Sequence, residues 1–296
     1  MVLVTSAYGN AGKGIIEVLL KNGFEVRATD THPKTEDLKS LGVKEVLVGD
    51  INKLSFMYRC VKGIDSILFI PPLFTAGGYY VGKYIIDEAI KNGVKQFILH
   101  SVNHSGADTL SQHAARKKIE EHITHNNLSD KLCFTLIQPM HYMYNFYVNQ
   151  VRETGKYSIF YDLDSKLSFV DLGDVAEVVI KVIKNPEKHN GKTYELGGSD
   201  FLSPNDMIKL FNKKTHSRAQ CERIDVKTYL GMIHTEDVYA IETLKSLSHI
   251  YSEYGVRGNS NVLENLLGRK PTTFTQYLEK SLKNKALSNI FSPVNR

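Results

Sequence analysis

The 296-residue chain is predicted to be an α/β protein: a doubly wound parallel sheet followed by a smaller, discontinuous α/β C-terminal lobe. Three observations carry this. Val2-Leu-Val-Thr-Ser-Ala-Tyr-Gly9-Asn-Ala-Gly12-Lys-Gly14 runs from an apolar, strand-like segment through a glycine-rich turn into an amphipathic one. Strand-like and helix-like segments then alternate, with short connections, as far as Gln138. Ser66-Ile-Leu-Phe-Ile70 is almost wholly apolar, as expected of a strand buried on both faces of a parallel sheet.

Taken in order, the opening strand and helix are followed by a strand ending at Asp30, a short polar helix ending near Leu41, and a strand from Lys44 to Asp50. A helix from about Leu54 to Val61 precedes the apolar strand, which stops at Pro71-Pro72 because proline cannot continue a ladder. Helices from about Gly82 to Lys91 and Ser111 to His125 lead into strands Gln96–Ser101 and Cys133–Gln138. Six strands alternating with helices require right-handed crossovers and hence helices on both faces. From Met140 the pattern changes to an aromatic loop or short helix, then a strand at Lys166–Val170 and a helix from Val175 to Ile183 capped by Asp174. Thr193–Leu196 is a further strand, and Ser203-Pro204-x-Asp206 reads as a capping box with proline at the first helical position. Helical periodicity spans Tyr229 to Tyr251 and Phe274 to Leu282. The expected division is a nucleotide-binding domain over 1–139, with 166–198 returning to it, and a smaller lobe from 140–165 plus 199–296 that covers a crevice.

Composition narrows the function classes. The net charge of +5 comes from lysines scattered along the chain in runs no longer than a pair, which describes a solvated surface and no nucleic-acid face. Cys60, Cys133 and Cys221 are few, odd in number and far apart, without metal-ligand spacing; a reducing compartment and no metal are expected. No apolar run approaches the roughly 20 residues needed to span a bilayer. The chain opens directly on its first strand, leaving no room for a leader, so a cytoplasmic protein, with the nucleus open to it, is expected.

The chemistry centres on the opening loop. Strand, glycines, then helix is the order a dinucleotide pyrophosphate needs: glycine admits the phosphates, and the N–H groups of a helix N-terminus attract their charge. Ser6-x-x-Gly9-x-x-Gly12 departs from the usual pattern by carrying serine at the first position. Asp30, about 20 residues on, is placed to accept from the adenosine ribose hydroxyls and to repel a 2′-phosphate. It favours NAD over NADP, although Arg27, His32 and Lys34 stand near enough to admit a phosphate. Asp50 is read either as a partner of the adenine amine or as a helix-entry residue. In a doubly wound sheet ligands gather at the carboxyl ends of the strands. The Rossmann-type cofactor site is therefore assigned to Thr5, Ser6, Gly9, Asn10, Ala11 and Gly12 of the loop, Asp30 and Thr31, Asp50 and Ile51, Ile70, Pro71 and Pro72, Ser101 and Pro139. Ser101 would polarise a carbonyl or cap the segment after it. His141, Tyr142 and Tyr144 are candidates to stack on a nicotinamide or a planar substrate, against the plainer reading of aromatic packing.

Val4-Thr-Ser-Ala-Tyr-Gly-Asn-Ala-Gly12, Val48-Gly-Asp50, Phe134-Thr-Leu-Ile-Gln-Pro139 with Met143-Tyr-Asn-Phe146, and Val170-Asp-Leu-Gly-Asp174 together resemble the NmrA-like family, an atypical branch of the short-chain dehydrogenase/reductases. Tyr194-Glu-Leu-Gly-Gly198 and Leu267-Gly-Arg-Lys-Pro271 extend the resemblance over nearly the whole chain. The resemblance implies a bound NAD or NADP and either of two roles. One is a redox-sensing regulator that couples dinucleotide occupancy to a protein partner. The other is an NAD(P)H-dependent reductase of a quinone-like or carbonyl substrate.

Ordinary short-chain dehydrogenases place Tyr-x-x-x-Lys on one helix face, lysine holding the nicotinamide ribose and tyrosine donating a proton. This helix reads His113-Ala-Ala-Arg-Lys117, keeping the lysine and replacing the tyrosine. His113 would be an acid near neutral pH with Lys117 beside it, or Lys117 would merely grip the ribose while His113 packs. The departed tyrosine puts the regulator first and the reductase second.

Overall fold

The computed structural model describes residues 1–283 except 74, 76, 105–109, 126–129 and 233–236. The chain divides into two compact units: Met1–Pro139 with Val175–Tyr194, and Met140–Asp174 with the chain from Glu195 onward.

In the first unit the elements are β1 (Val2–Val4), α1 (Asn10–Lys21), β2 (Val26–Asp30), β3 (Glu45–Val48), α2 (Leu54–Val61), β4 (Ser66–Phe69), α3 (Gly78–Lys91), β5 (Gln96–His100), α4 (Ser111–His125) and β6 (Cys133–Pro139). The sequence places the start of α3 one turn too late, at about Gly82. Gly82 is instead where α3 meets α4, and a Cβ there would lie 2.5 Å from Ile119. After a stretch that belongs to the second unit, α6 (Leu172–Lys184), α7 (Pro186–His189) and β10 (Lys192–Leu196) follow.

The sheet has seven strands, the six of the alternating segments and β10, the strand expected at Thr193–Leu196, in the order β10-β6-β5-β4-β1-β2-β3. All pairings from β3 to β6 are parallel, with Val2 opposite both Val26 and Ser66. Strand order reverses between β1 and β4, so a crevice is expected at the carboxyl ends there. Leu3, Ile67, Phe69, Phe97 and Leu99 pack under Ile85, Ile86 and Ile119 in one buried cluster. On α1, Ile15, Ile16 and Leu19 are fully buried, and Val182 of α6 accepts a 2.8 Å bond from the buried Gln96 amide.

The second unit contains β7 (His141–Tyr142), α5 (Val148–Thr154), β8 (Lys156–Ile159), β9 (Leu167–Val170), β11 (Phe201–Leu202), α8 (Pro204–Thr215), β12 (Gln220–Arg223), α9 (Val226–Met232), α10 (Val238–Tyr254), α11 (Asn261–Leu267) and α12 (Phe274–Lys283). β9 pairs with β7 and β11, so Leu167–Val170 belongs here and the stretch returning to the first unit is shorter than 166–198. The Ser203–Asp206 capping box forms reciprocally, at 3.1 Å in each direction. Helical periodicity over Tyr229–Tyr251 resolves into α9 and α10, with 233–236 outside the described residues and Asp237 capping α10 through Ala240 N–H. Asp174 is not the cap expected of it: Asp171 accepts from Gly173 N–H, while the buried Asp174 carboxylate takes bonds from Arg269 and from the Thr272 N–H and hydroxyl. Phe146 packs its ring against Tyr157, Phe211 and Phe274. Among the described residues, no helix is long and apolar enough to cross a membrane.

Candidate functional site

All six parallel strands from β1 to β6 end on one edge of the sheet, which brings Thr5, Asp30, Asp50, Ile70, Ser101 and Pro139 to that edge. The loop at its centre is shaped by close contacts. Gly12 is essential to it: a Cβ would lie 2.3 Å from the Ser6 carbonyl oxygen and 2.8 Å from Ala7 Cα. Ser6 adopts φ of 47°, a left-handed conformation that costs a non-glycine residue on the order of 1 kcal/mol. Its hydroxyl donates to Ile70 O at 2.8 Å, alongside Thr5 Oγ1 to the same oxygen at 2.9 Å. The serine in the glycine position thus supplies a hydroxyl that ties the loop to the end of β4.

Helix α1 begins beyond Gly9 with no side-chain cap and no acidic residue in its first turn. Its opening N–H dipoles are therefore not neutralised by a local carboxylate, and the buried Asn10 Nδ2 has no hydrogen-bond partner among the described residues. An uncapped N-terminus with an orphaned amide donor fits an anionic, hydrogen-bond-accepting group such as a pyrophosphate.

Asp30 closes the other side. Its Oδ2 accepts Tyr8 N–H at 3.0 Å, and its Oδ1 accepts Thr31 N–H at 2.7 Å and His32 N–H at 3.3 Å. Tyr8 stacks on His32 with ring centroids 4.4 Å apart, and Lys13 Nζ sits 3.3 Å over the Tyr8 ring. Burial lowers the Lys13 pKa, partly offset by Asp37 and Asp30. Asp50 accepts from the N–H and the side-chain amide of Asn52, the pattern of a residue organising helix entry, and Ile51 is part of the core.

Helix α4 presents His113, Arg116, Lys117 and Glu120 within two turns. His113 Nδ1 lies 3.2 Å from the His104 carbonyl oxygen, which can only accept, so Nδ1 carries the proton. Burial pushes the His113 pKa below the ordinary histidine value, opposed by hydrogen bonds to the His104 and Asn103 carbonyls. Lys117 is half-buried; its neighbour Arg116 is the buried cation, donating to Pro71 O at 3.0 Å. The Ser101 hydroxyl donates to Glu120, which also accepts from Gln138 Nε2. Pro139 O accepts Asn103 N–H at 3.1 Å, while both side-chain amide atoms of the buried Asn103 lack partners among the described residues.

Arg116, Glu120, Gln138 and Asn103 escape a reading that searches for Tyr-x-x-x-Lys. The spacing of 113, 116 and 120 on one helix face was the available signal. His141, Tyr142 and Tyr144 lie in the second unit. Tyr142 and Tyr144 are buried and stacked at 4.8 Å, and His141 Nε2 meets the Asn145 amide at 3.0 Å.

The family model described as the NmrA-like family matches residues 1–281. Among solved structures, the NADPH-dependent quinone oxidoreductase of Escherichia coli complexed with NADPH is 21% identical at a TM-score of 0.76, covering 96% of this chain and 100% of that one. The Citrobacter triphenylmethane reductase is 19% identical at a TM-score of 0.78 over 96% and 99% of the two chains. The negative transcriptional regulator NmrA is 18% identical at a TM-score of 0.76 over 99% and 98%. A search of curated proteins by sequence returned no match. At these identities the structural likeness speaks to the fold.

Proposed function

The chain belongs to the NmrA-like family, and from that premise we propose that it is a dinucleotide-binding regulator, in which occupancy by NAD(H) or NADP(H) is coupled to the docking of a protein partner. The single observation behind the regulatory half is His113. Where a proton donor would stand there is a histidine whose pKa burial lowers and whose Nδ1 faces the His104 carbonyl, which makes it a poor acid near neutral pH.

The binding half is supported by the uncapped N-terminus of α1, the orphaned Asn10 amide and the carboxylate at the end of β2. The loop from Thr5 to Gly12 would hold the pyrophosphate, Asp30 and Thr31 the adenosine ribose, and Asp50 and Ile51 the adenine. Ile70, Pro71, Pro72, Ser101, Lys117 and Pro139 would flank the nicotinamide riboside. Asp30 favours NAD(H), with NADP(H) the weaker ligand. A bound nicotinamide dinucleotide supplies a hydride carrier whose redox state can be read.

A reductase of a quinone-like or carbonyl substrate is the second reading, favoured by the unpartnered amide of Asn103 beside Pro139 and by the activities named for the two reductases above. Steady-state oxidation of NADH and NADPH against a panel of quinones and carbonyls separates the two. The regulator shows no turnover above the uncatalysed rate. Turnover abolished by Lys117→Ala and impaired by His113→Ala would make the chain a reductase.

A further inference from the structure

The second unit carries a concavity of about 370 Å³ lined by Arg269, Lys270, Thr272, Gln276, Glu279, Lys280 and Lys283, far larger than a packing void. Four cationic side chains face one carboxylate, and that carboxylate is committed elsewhere: Glu279 pairs with Lys214 at 2.5 Å. Arg269 is held by the buried Asp174 at 2.8 Å, which fixes the guanidinium at one wall. Lys280 stands 3.9 Å from the largely buried Asp171. Lys270 and Lys283 are exposed and have no carboxylate within ion-pair distance among the described residues.

The last turn of α12 suits cations, and Lys283 also acts on Glu279 one turn back, but neither accounts for Arg269 and Lys270 joining them from the preceding segment. Lys280 and Lys283 are three apart on α12 and share a face, where their repulsion costs the helix a few tenths of a kcal/mol. Lys270 adds a third ammonium from the segment before α12. We propose that this concavity is a binding site for a small polyanion bearing linked phosphates, gripped by Lys270, Lys280 and Lys283 with Arg269 as its fixed wall. The concavity opens to solvent and has the volume of a small-molecule site, and the cations converge on that one hollow. An extended acidic peptide would instead be met by a stripe of cations. The site does not depend on the dinucleotide reading, since every residue in it belongs to the second unit and none to the loop.

Calorimetric titration of the full chain with tripolyphosphate, pyrophosphate and orthophosphate at about 0.15 M salt, where the screening length is about 8 Å, tests this. One equivalent of tripolyphosphate is expected to bind, more tightly than pyrophosphate and much more tightly than orthophosphate. Lys270→Gln/Lys283→Gln should weaken it by about tenfold, each exposed pair contributing modestly. Lys209→Gln/Lys227→Gln, which removes two exposed lysines of the same unit elsewhere, should leave it within about twofold. NADH affinity measured on the same variants should not move. Absence of tripolyphosphate binding, equal loss in both double variants, no loss in the first, or tighter binding of a poly-glutamate peptide would each overturn the proposal.

Discussion

Replacing Gly12 with alanine separates packing in the loop from ligand binding. Glycine to alanine inside an exposed helix ordinarily gains about 1 kcal/mol. Here the new Cβ would stand 2.3 Å from the Ser6 carbonyl oxygen and 2.8 Å from Ala7 Cα, some 0.7 Å inside the closest approach of about 3.0 Å for the first contact. Both neighbours are backbone, so no rotamer change relieves them and α1 must move away from β1. Overpacking of this kind costs about 1–3 kcal/mol and sits at the upper end when backbone must shift, leaving a net loss of about 2 kcal/mol after the helix gain. For a unit of this size that lowers the melting temperature by about 4–8 °C. At Gly9 the same substitution is milder: φ is −66° and a Cβ would sit 3.3 Å from Ser6 O. A β-branched residue at Gly9 should leave the circular dichroism spectrum intact while abolishing dinucleotide binding. Thermal melts of both variants, with NADH titrations alongside, read the two effects. A Gly12→Ala protein as stable as the parent would refute the packing argument, and unchanged affinity in Gly9→Val would remove the loop from the binding site.

Other perturbations follow from single contacts. The buried His100 has its pKa lowered to about 4 by desolvation, reinforced by Arg116, so the unfolded chain takes up the proton first. Its contribution is complete above about pH 6.5 and is lost as pH falls, amounting to about 2 kcal/mol between pH 7 and 5. His100→Gln should flatten that part of a pH-dependent urea denaturation series. Asp174→Ala should cost about 2–4 kcal/mol in the same assay, because it strands two donors of the buried Thr272 around a lost carboxylate, while the exposed Arg269 can turn to water. Arg116→Met, which leaves the Pro71 carbonyl without its donor, should cost about 1–3 kcal/mol and weaken NADH binding by loosening the end of β4, with Arg116→Lys recovering part of both.

Much of the first unit was legible because its signals are local. A glycine turn, an apolar strand broken by Pro71 and Pro72, and alternating periodicities specify strand, crossover and helix without tertiary knowledge. The seventh strand was legible as Thr193–Leu196, although in β10 only Leu196 is fully buried and its edge position leaves little apolar pattern. The short strands β8, β11 and β12 are defined by their partners, Gln220 opposite Lys156 and Phe201 opposite Ser168, and partner identity is not written in a segment of two to four residues. Asp174 illustrates how a local rule fails, since a carboxylate at a helix start reads as a cap until Arg269 and Thr272, nearly 100 residues later, arrive to claim it. At the site, Ser6, Asp30 and His113 were identifiable by position. Their partners Ile70 O, Tyr8 N–H and His104 O are backbone atoms, which sequence patterns do not reveal.

The central claim is that the loop, Asp30 and the α1 N-terminus form a dinucleotide site. The most direct measurement is a titration of the purified chain with NADH and NADPH followed by reduced-nicotinamide emission, which is uncluttered here because the chain contains no tryptophan. The expected result is saturable binding of one dinucleotide per chain, tighter for NADH and lost in Gly9→Val. No binding of either dinucleotide at millimolar concentration would contradict it.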